Sequence, residues 1–145
     1  MEVHTTRFGR IHYSADDLLS FPEGLPGLTE CREWVLLADP ENDAVAWLQS
    51  VARPETALAV VSPRRFLPNY QLRVCRRELE PLGLDRLEAN CVVAIVSPGP
   101  QGLTMNLQAP LVIDGQRRVG RQVIANGPAP MHCEIRPSGA WKKTA

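Results

Sequence analysis

From Leu103 the chain runs LTMNLQAPLVIDG to Gly115 and comes back through Arg121-Gln122-Val123-Ile124. Leu103, Met105 and Leu107 fall on one side of a strict alternation, and Thr104, Asn106 and Gln108 on the other. A strand's side chains alternate with a period of two, so this pattern predicts one buried face and one solvated face. Ala109-Pro110 interrupts it, because proline has no N–H to give to a ladder. Leu111-Val112-Ile113 resumes a strand, Asp114-Gly115 supplies turn chemistry, and Arg121–Ile124 is the expected hairpin partner. Nothing in the stretch is a nucleophile motif, a metal cluster or a phosphate loop. It is a scaffold that displays polar groups.

The flanking sequence continues in short strands. Cys91–Val96 is a buried-looking run closed by Ser97-Pro98-Gly99-Pro100, and Ala57–Val61 is wholly apolar. Trp34–Leu37 and Val45–Gln49 pair across the turn Asp39-Pro40-Glu41-Asn42-Asp43, while Val3–Thr5 and Arg10–Tyr13 form a hairpin about Gly9. Tyr70–Val74 alternates as another strand. Ser14 to Asp17 offers an N-cap for one helical turn through Leu19. Arg77–Leu87 is the remaining helix candidate, cut into short pieces by Pro81 and Gly83. Two loops are framed by proline, Phe21–Leu28 and Ser62–Tyr70. Phe21, Leu25 and Leu28 either pin the first loop to a core or make it an apolar docking loop. About nine strands at short spacing argue for an all-β fold, an antiparallel barrel-like single domain or paired sheets, with one or two short helical turns. There is no room for the crossover helices of a parallel α/β sheet. The domain covers residues 1–126, and from Gly127 to Ala145 lost periodicity predicts a loosely structured tail.

At 145 residues the chain suits one domain with a real core. Its 44% hydrophobic and 22% charged composition is that of a folded soluble protein. The apolar runs are far shorter than the roughly 20 residues that cross a bilayer. The N-terminus MEVHTTRFGR has no apolar export signal, so a cytoplasmic protein without membrane association is expected. Cys31, Cys75, Cys91 and Cys133 are widely and irregularly spaced, which favours neither zinc nor, in a reducing cytoplasm, disulfides; Cys91 reads as a small core residue. Net charge is zero but uneven: residues 1–60 hold ten acids and four arginines, and the remainder holds twelve bases and six acids. Either opposite faces of one domain carry opposite charge, or the acidic half steers toward a basic partner. Arg64-Arg65, Arg76-Arg77 and Arg117-Arg118 fall in separate loops without interleaved aromatics, unlike an RNA-binding sheet.

Catalytic patterns are missing: there is no G-x-S-x-G, H-E-x-x-H, Walker loop or G-x-G-x-x-G. His4, His12 and His132 lack partners at metal-ligand spacing apart from His132-Cys133-Glu134, whose adjacent side chains do not converge. Asp16-Asp17 is better explained by capping than by acid–base chemistry. No catalytic residue, metal or cofactor is assigned, and a non-enzyme is expected.

Phe21-Pro22-Glu23-Gly24-Leu25-Pro26-Gly27-Leu28, Trp34-Val35-Leu36-Leu37, Trp47-Leu48-Gln49-Ser50 and the Pro63…Phe66…Pro68-Asn69-Tyr70 loop occur in the order seen in the FliW family of flagellar assembly factors. Leu103–Ile113 followed by Gly120-Arg121-Gln122-Val123-Ile124 resembles that family's most specific segment. The resemblance covers about residues 3–126 and not the tail. It implies a non-enzymatic cytoplasmic protein with a β-barrel-like fold. Its implied partners are flagellin before export and the RNA-binding translational repressor CsrA, bound in a switch that relieves repression of flagellin synthesis. The residues expected at partner contacts are Phe21, Leu25, Phe66 and Tyr70 of the two loops and the polar row Thr104, Asn106 and Gln108. For the aromatics the alternative is the core; for Asn106 it is satisfying backbone groups beside the Pro110 break. The competing functions are a small barrel that binds a ligand in its interior and a direct RNA-binding regulator.

Overall fold

A computed structural model describes residues 1–25, 27–84 and 92–135. In chain order its strands are β1 (Glu2–Thr5), β2 (Gly9–His12), β3 (Leu18–Ser20), β4 (Glu33–Ala38), β5 (Val45–Ser50) and β6 (Ala57–Val61). Helix α1 (Arg76–Leu79) precedes β7 (Val92–Gly99), β8 (Gly102–Met105), β9 (Leu111–Asp114), β10 (Val119–Gln122) and β11 (Cys133–Glu134). Seven strands close a barrel in the order β7-β6-β5-β4-β3-β10-β9 and back to β7. All but one of these pairings are antiparallel. The seam between β3 and β10 is parallel and registers at a single pair, Ser20 with Val119. Its closure therefore leans on Arg118, which holds φ +57. The Arg118 carbonyl accepts from the Ser20 N–H at 2.9 Å, and its guanidinium donates to the Leu18 and Asp17 carbonyls at 3.3 and 2.9 Å.

β7 serves two structures at once. Its first residues pair with β9 inside the barrel wall (Val92 with Val112, Val93 with Leu111). Its far end pairs with β8 (Val96 with Met105 through Gly99 with Gly102), and β11 adds to β8 outside the barrel. Residues 103–113 thus follow one edge of β7, and the Ala109-Pro110 interruption marks where barrel wall and outer flap part. The hairpin partner of β9 is Val119–Gln122, two residues earlier than the expected Arg121–Ile124, with Gln122 opposite Leu111.

Three apolar clusters hold this arrangement. The barrel interior is filled by Leu19, Phe21, Leu25, Cys31, Trp34, Leu48, Val60 and Leu111. Outside it, Val61, Ala94, Met105, Leu107 and Ile135 form a second cluster beneath Phe66 and Tyr70. Leu79 and Leu82 seal a third against Val112 and Val123. The hairpin β1–β2 packs on the barrel's outside, where the Arg7 guanidinium lies 4.4 Å from the centre of the Trp47 ring and Phe8 meets its edge at 5.7 Å.

The structure corrects several expectations. The 103–108 alternation does not extend as a half-solvated strand. β8 stops at Met105, and Leu103 is the open residue at 39% exposed while Thr104 is buried at 3%. β8 is flanked on both edges, by β7 and β11: the Thr104 hydroxyl donates to the Ser97 carbonyl at 3.1 Å, and Glu134 of β11 pairs beside it. Ser97-Pro98-Gly99 belongs to β7 rather than to a closing turn. Residues 70–75 are irregular, not a strand, and Leu72 and Val74 serve the third cluster instead. The first helical turn is a 3₁₀ turn over Ala15–Asp17 only, because Leu19 is required inside the barrel opposite Trp34. Its cap is Asp17 reaching back to the Ser14 N–H at 2.8 Å, which holds the Asp17 carboxyl below its ordinary pKa. α1 is followed by a 3₁₀ turn that ends at Gly83, so the Pro81 and Gly83 breaks act as expected; residues 85–87 of that candidate lie outside the described residues. Cys91 lies outside them too, while Cys31, Cys75 and Cys133 are free thiols. Within the expected tail, the Leu107 N–H donates to the Pro130 carbonyl at 2.9 Å and Ile135 is buried, while residues 136–145 lie outside the described residues.

Candidate functional site

The first proline-framed loop returns toward the barrel through two tight contacts. Gly24 adopts φ +68 with the Thr29 backbone against it, so a Cβ there would sit 2.7 Å from the Thr29 Cα. Phe21 is fully buried, and its ring lies over Gly120 of β10, where a Cβ would come within 2.7 Å of the ring. The next residue, Arg121, joins three elements. Its Nε donates to Glu23 of the loop at 2.6 Å, and its guanidinium donates to both the carbonyl, at 2.9 Å, and the carboxylate of Glu78 on α1. Partial burial works against the Arg121 charge, but the hydrogen bonds to Glu23 and Glu78 outweigh it and raise its pKa. Gln122 donates from Nε2 to the Ala109 carbonyl at 2.9 Å. Beside it, the Asn106 side-chain oxygen accepts from the Gln108 and Ala109 N–H groups at 3.1 and 3.0 Å, building the turn that precedes Pro110.

These residues converge on an open groove whose lining includes Glu23, Leu25, Asn106, Arg121, Ile124 and Met131. Ile124 and Met131 are 56% and 53% exposed, large apolar side chains presented at a concave surface. The groove therefore combines apolar contact area with the Arg121–Glu23 pair, which is tethered to Glu78 of α1. That is the chemistry of a protein-docking surface more than of a reaction centre. Among the described residues, no group of three or more His, Cys, Asp and Glu side chains is placed to hold a metal ion, and no helix is long and apolar enough to cross a membrane.

The residues singled out from sequence do not form one face. Leu25 and Asn106 line the groove, Leu25 with only 2% of its surface open. Phe21 is wholly interior, which makes it a core residue that shapes the loop. Phe66 and Tyr70 lie elsewhere, half-buried on the second outer cluster, where burial pushes the Tyr70 hydroxyl's pKa up. Thr104 is buried and Gln108 exposed, so Thr104, Asn106 and Gln108 are not a continuous polar row. Sequence reasoning missed Glu23, Arg121, Ile124 and Met131. Arg121 and Ile124 stood inside the family-like segment, whereas Met131 lay in an aperiodic stretch with no signal. The charge asymmetry between the halves is partly answered within the fold, since Arg121 meets Glu23 and Arg65 meets Asp43 at 3.2 Å.

A closed seven-stranded barrel with a side-chain-filled interior and open outer grooves defines a small β-barrel scaffold protein. The FliW protein family model matches residues 2–134, so the chain belongs to the FliW family of flagellar assembly factors. It is 36% identical over 126 residues to the flagellar assembly factor FliW of Bdellovibrio bacteriovorus, covering 86% of this chain and 72% of that one. It is 37% identical over 131 residues to that of Moorella thermoacetica, covering 88% and 82%. A crystal structure of a flagellar assembly factor FliW superposes with a TM-score of 0.82 at 28% identity, covering 94% of this chain and 98% of that one.

Proposed function

We propose that this chain is a cytoplasmic, non-enzymatic regulator that binds flagellin and CsrA in a partner switch. Flagellin held before export occupies the factor; once flagellin leaves, the freed factor captures CsrA and relieves repression of flagellin synthesis. The observation that carries the reading is the convergence of the family-like segments 21–28, 103–113 and 120–124 on one groove with two exposed apolar residues, Ile124 and Met131. Leu25 and Asn106 contribute its wall, and Phe66, Tyr70 and Gln108 remain contact candidates on neighbouring surface. Phe21 and Thr104 act through the shape they give the loop and the flap. A switch of this kind needs coupled or competitive binding and no covalent step. The filled barrel interior speaks against a ligand-binding barrel. Direct RNA binding is disfavoured because Arg64, Arg65 and Arg118 are engaged with the fold's own oxygens. Calorimetric titration with purified flagellin and with purified CsrA tests the reading. Dissociation constants tighter than about 10 μM are expected for both; heat from neither titration would sink it.

A further inference from the structure

A second groove lies on the outer face of the sheet, lined by Val45, Trp47, Ala59, Val96, Pro98 and Leu103, with the carboxylates of Asp39 and Glu41 at the same opening. It shares no residue with the Ile124–Met131 groove. Leu103, 39% exposed, is an apolar side chain that the described residues leave open to it. The described chain ends beside this groove: the Ile135 N–H donates to the Leu103 carbonyl at 3.0 Å, extending the β8–β11 pairing by one residue. Beyond Ile135 the sequence reads Arg136-Pro137-Ser138-Gly139-Ala140-Trp141-Lys142-Lys143-Thr144-Ala145.

We propose that the Trp47–Leu103 groove is the docking site for this chain's own residues 136–145. Reach allows it. Crossing from the β11 line that Ile135 extends to β6, in the middle of the groove, takes three strand spacings, about 14 Å, while the six residues from Ile135 to Trp141 extend to about 20 Å. Chemistry fits as well. Trp141 is an aromatic anchor of the kind that fills a groove floored by small and branched residues such as Ala59 and Val96. Lys142 and Lys143 come directly after it and complement Asp39 and Glu41. Docked in this way, the segment covers an apolar sheet face that would otherwise be open to another chain. The inference is independent of the flagellin and CsrA reading, and its test uses neither partner.

The test is NMR on the full chain, comparing wild type with Trp141→Ala and with Lys142→Glu/Lys143→Glu. Cross-relaxation between the Trp141 ring and the Val96 and Leu103 methyl groups is expected, with the Trp47 indole N–H signal shifting in Trp141→Ala. Glu41→Lys is expected to weaken those contacts, and combining it with Lys142→Glu/Lys143→Glu to restore them. Neither exchange touches the barrel core, so folding is not at stake. Shifts confined to residues next to the substitution would overturn the proposal. Shifts at Trp47 and Leu103 that grow with protein concentration would also overturn it, in favour of a second copy on this face.

Discussion

Asn106 lines the groove and also holds the backbone that shapes it. Its side-chain oxygen satisfies two backbone N–H groups at the point where β8 gives way to the turn before Pro110. Replacing it with alanine strands both donors, and we expect a loss of about 1–2 kcal/mol in urea unfolding. Asn106→Asp keeps the acceptor and should recover most of that loss; equal losses in both variants would contradict the turn role. Asp39 carries the clearest pH dependence. The Trp47 indole N–H first, and then the Glu41 N–H, hold its carboxyl below the ordinary carboxylate range, so the fold prefers the ionised form. That stabilisation is complete above the unfolded value of about 3.9 and is lost as pH falls through the lower folded value. Asp39→Asn should therefore lower the melting temperature at pH 7, and the gap to wild type should shrink toward pH 3. A gap that stays constant across that range would contradict the assignment.

At the level of elements, Arg121 is the tie between the first proline-framed loop, α1 and β10. Arg121→Met keeps the apolar stem and removes the charge from Glu23 and Glu78. The amides of Gly24, Leu25, Glu78 and Leu79 should then exchange roughly tenfold faster, equivalent to about 1.4 kcal/mol of local opening. Unchanged exchange there would mean the core contacts of Phe21 and Leu79 suffice alone. Elements were legible in the sequence wherever local chemistry decided them. The Asp114-Gly115 hairpin, the apolar Ala57–Val61 strand, the β4–β5 pair and the Pro81–Gly83 helix stop are all where turn residues and periodicity put them. The illegible parts depended on long-range partners. Leu18–Ser20 is a strand only because Trp34 and Arg118 flank it, and Thr104 is buried where β8 lies between β7 and the returning β11. Alternation names two faces but not which of them a distant strand will cover. The parallel β3–β10 seam left no mark in either segment.

For the molecule as a whole, barrel closure explains why the candidate site could not be read residue by residue. The groove is assembled from the 21–28 loop, the Pro110 break, the end of β10 and residue 131, four places far apart in sequence and joined by one seam. Apolar residues in the loop were equally suited to core and contact; packing sent Phe21 inward and left Ile124 and Met131 at the surface. The central claim is that this groove is where partner proteins dock. It is tested most directly by calorimetric titration of the Ile124→Glu/Met131→Glu variant with flagellin and with CsrA, alongside wild type. Both substitutions are at exposed positions, so the melting temperature should stay close to that of wild type. Binding of one or both partners should be at least tenfold weaker, a loss of about 1.4 kcal/mol or more. Wild-type affinity for both partners in a folded variant would contradict the claim.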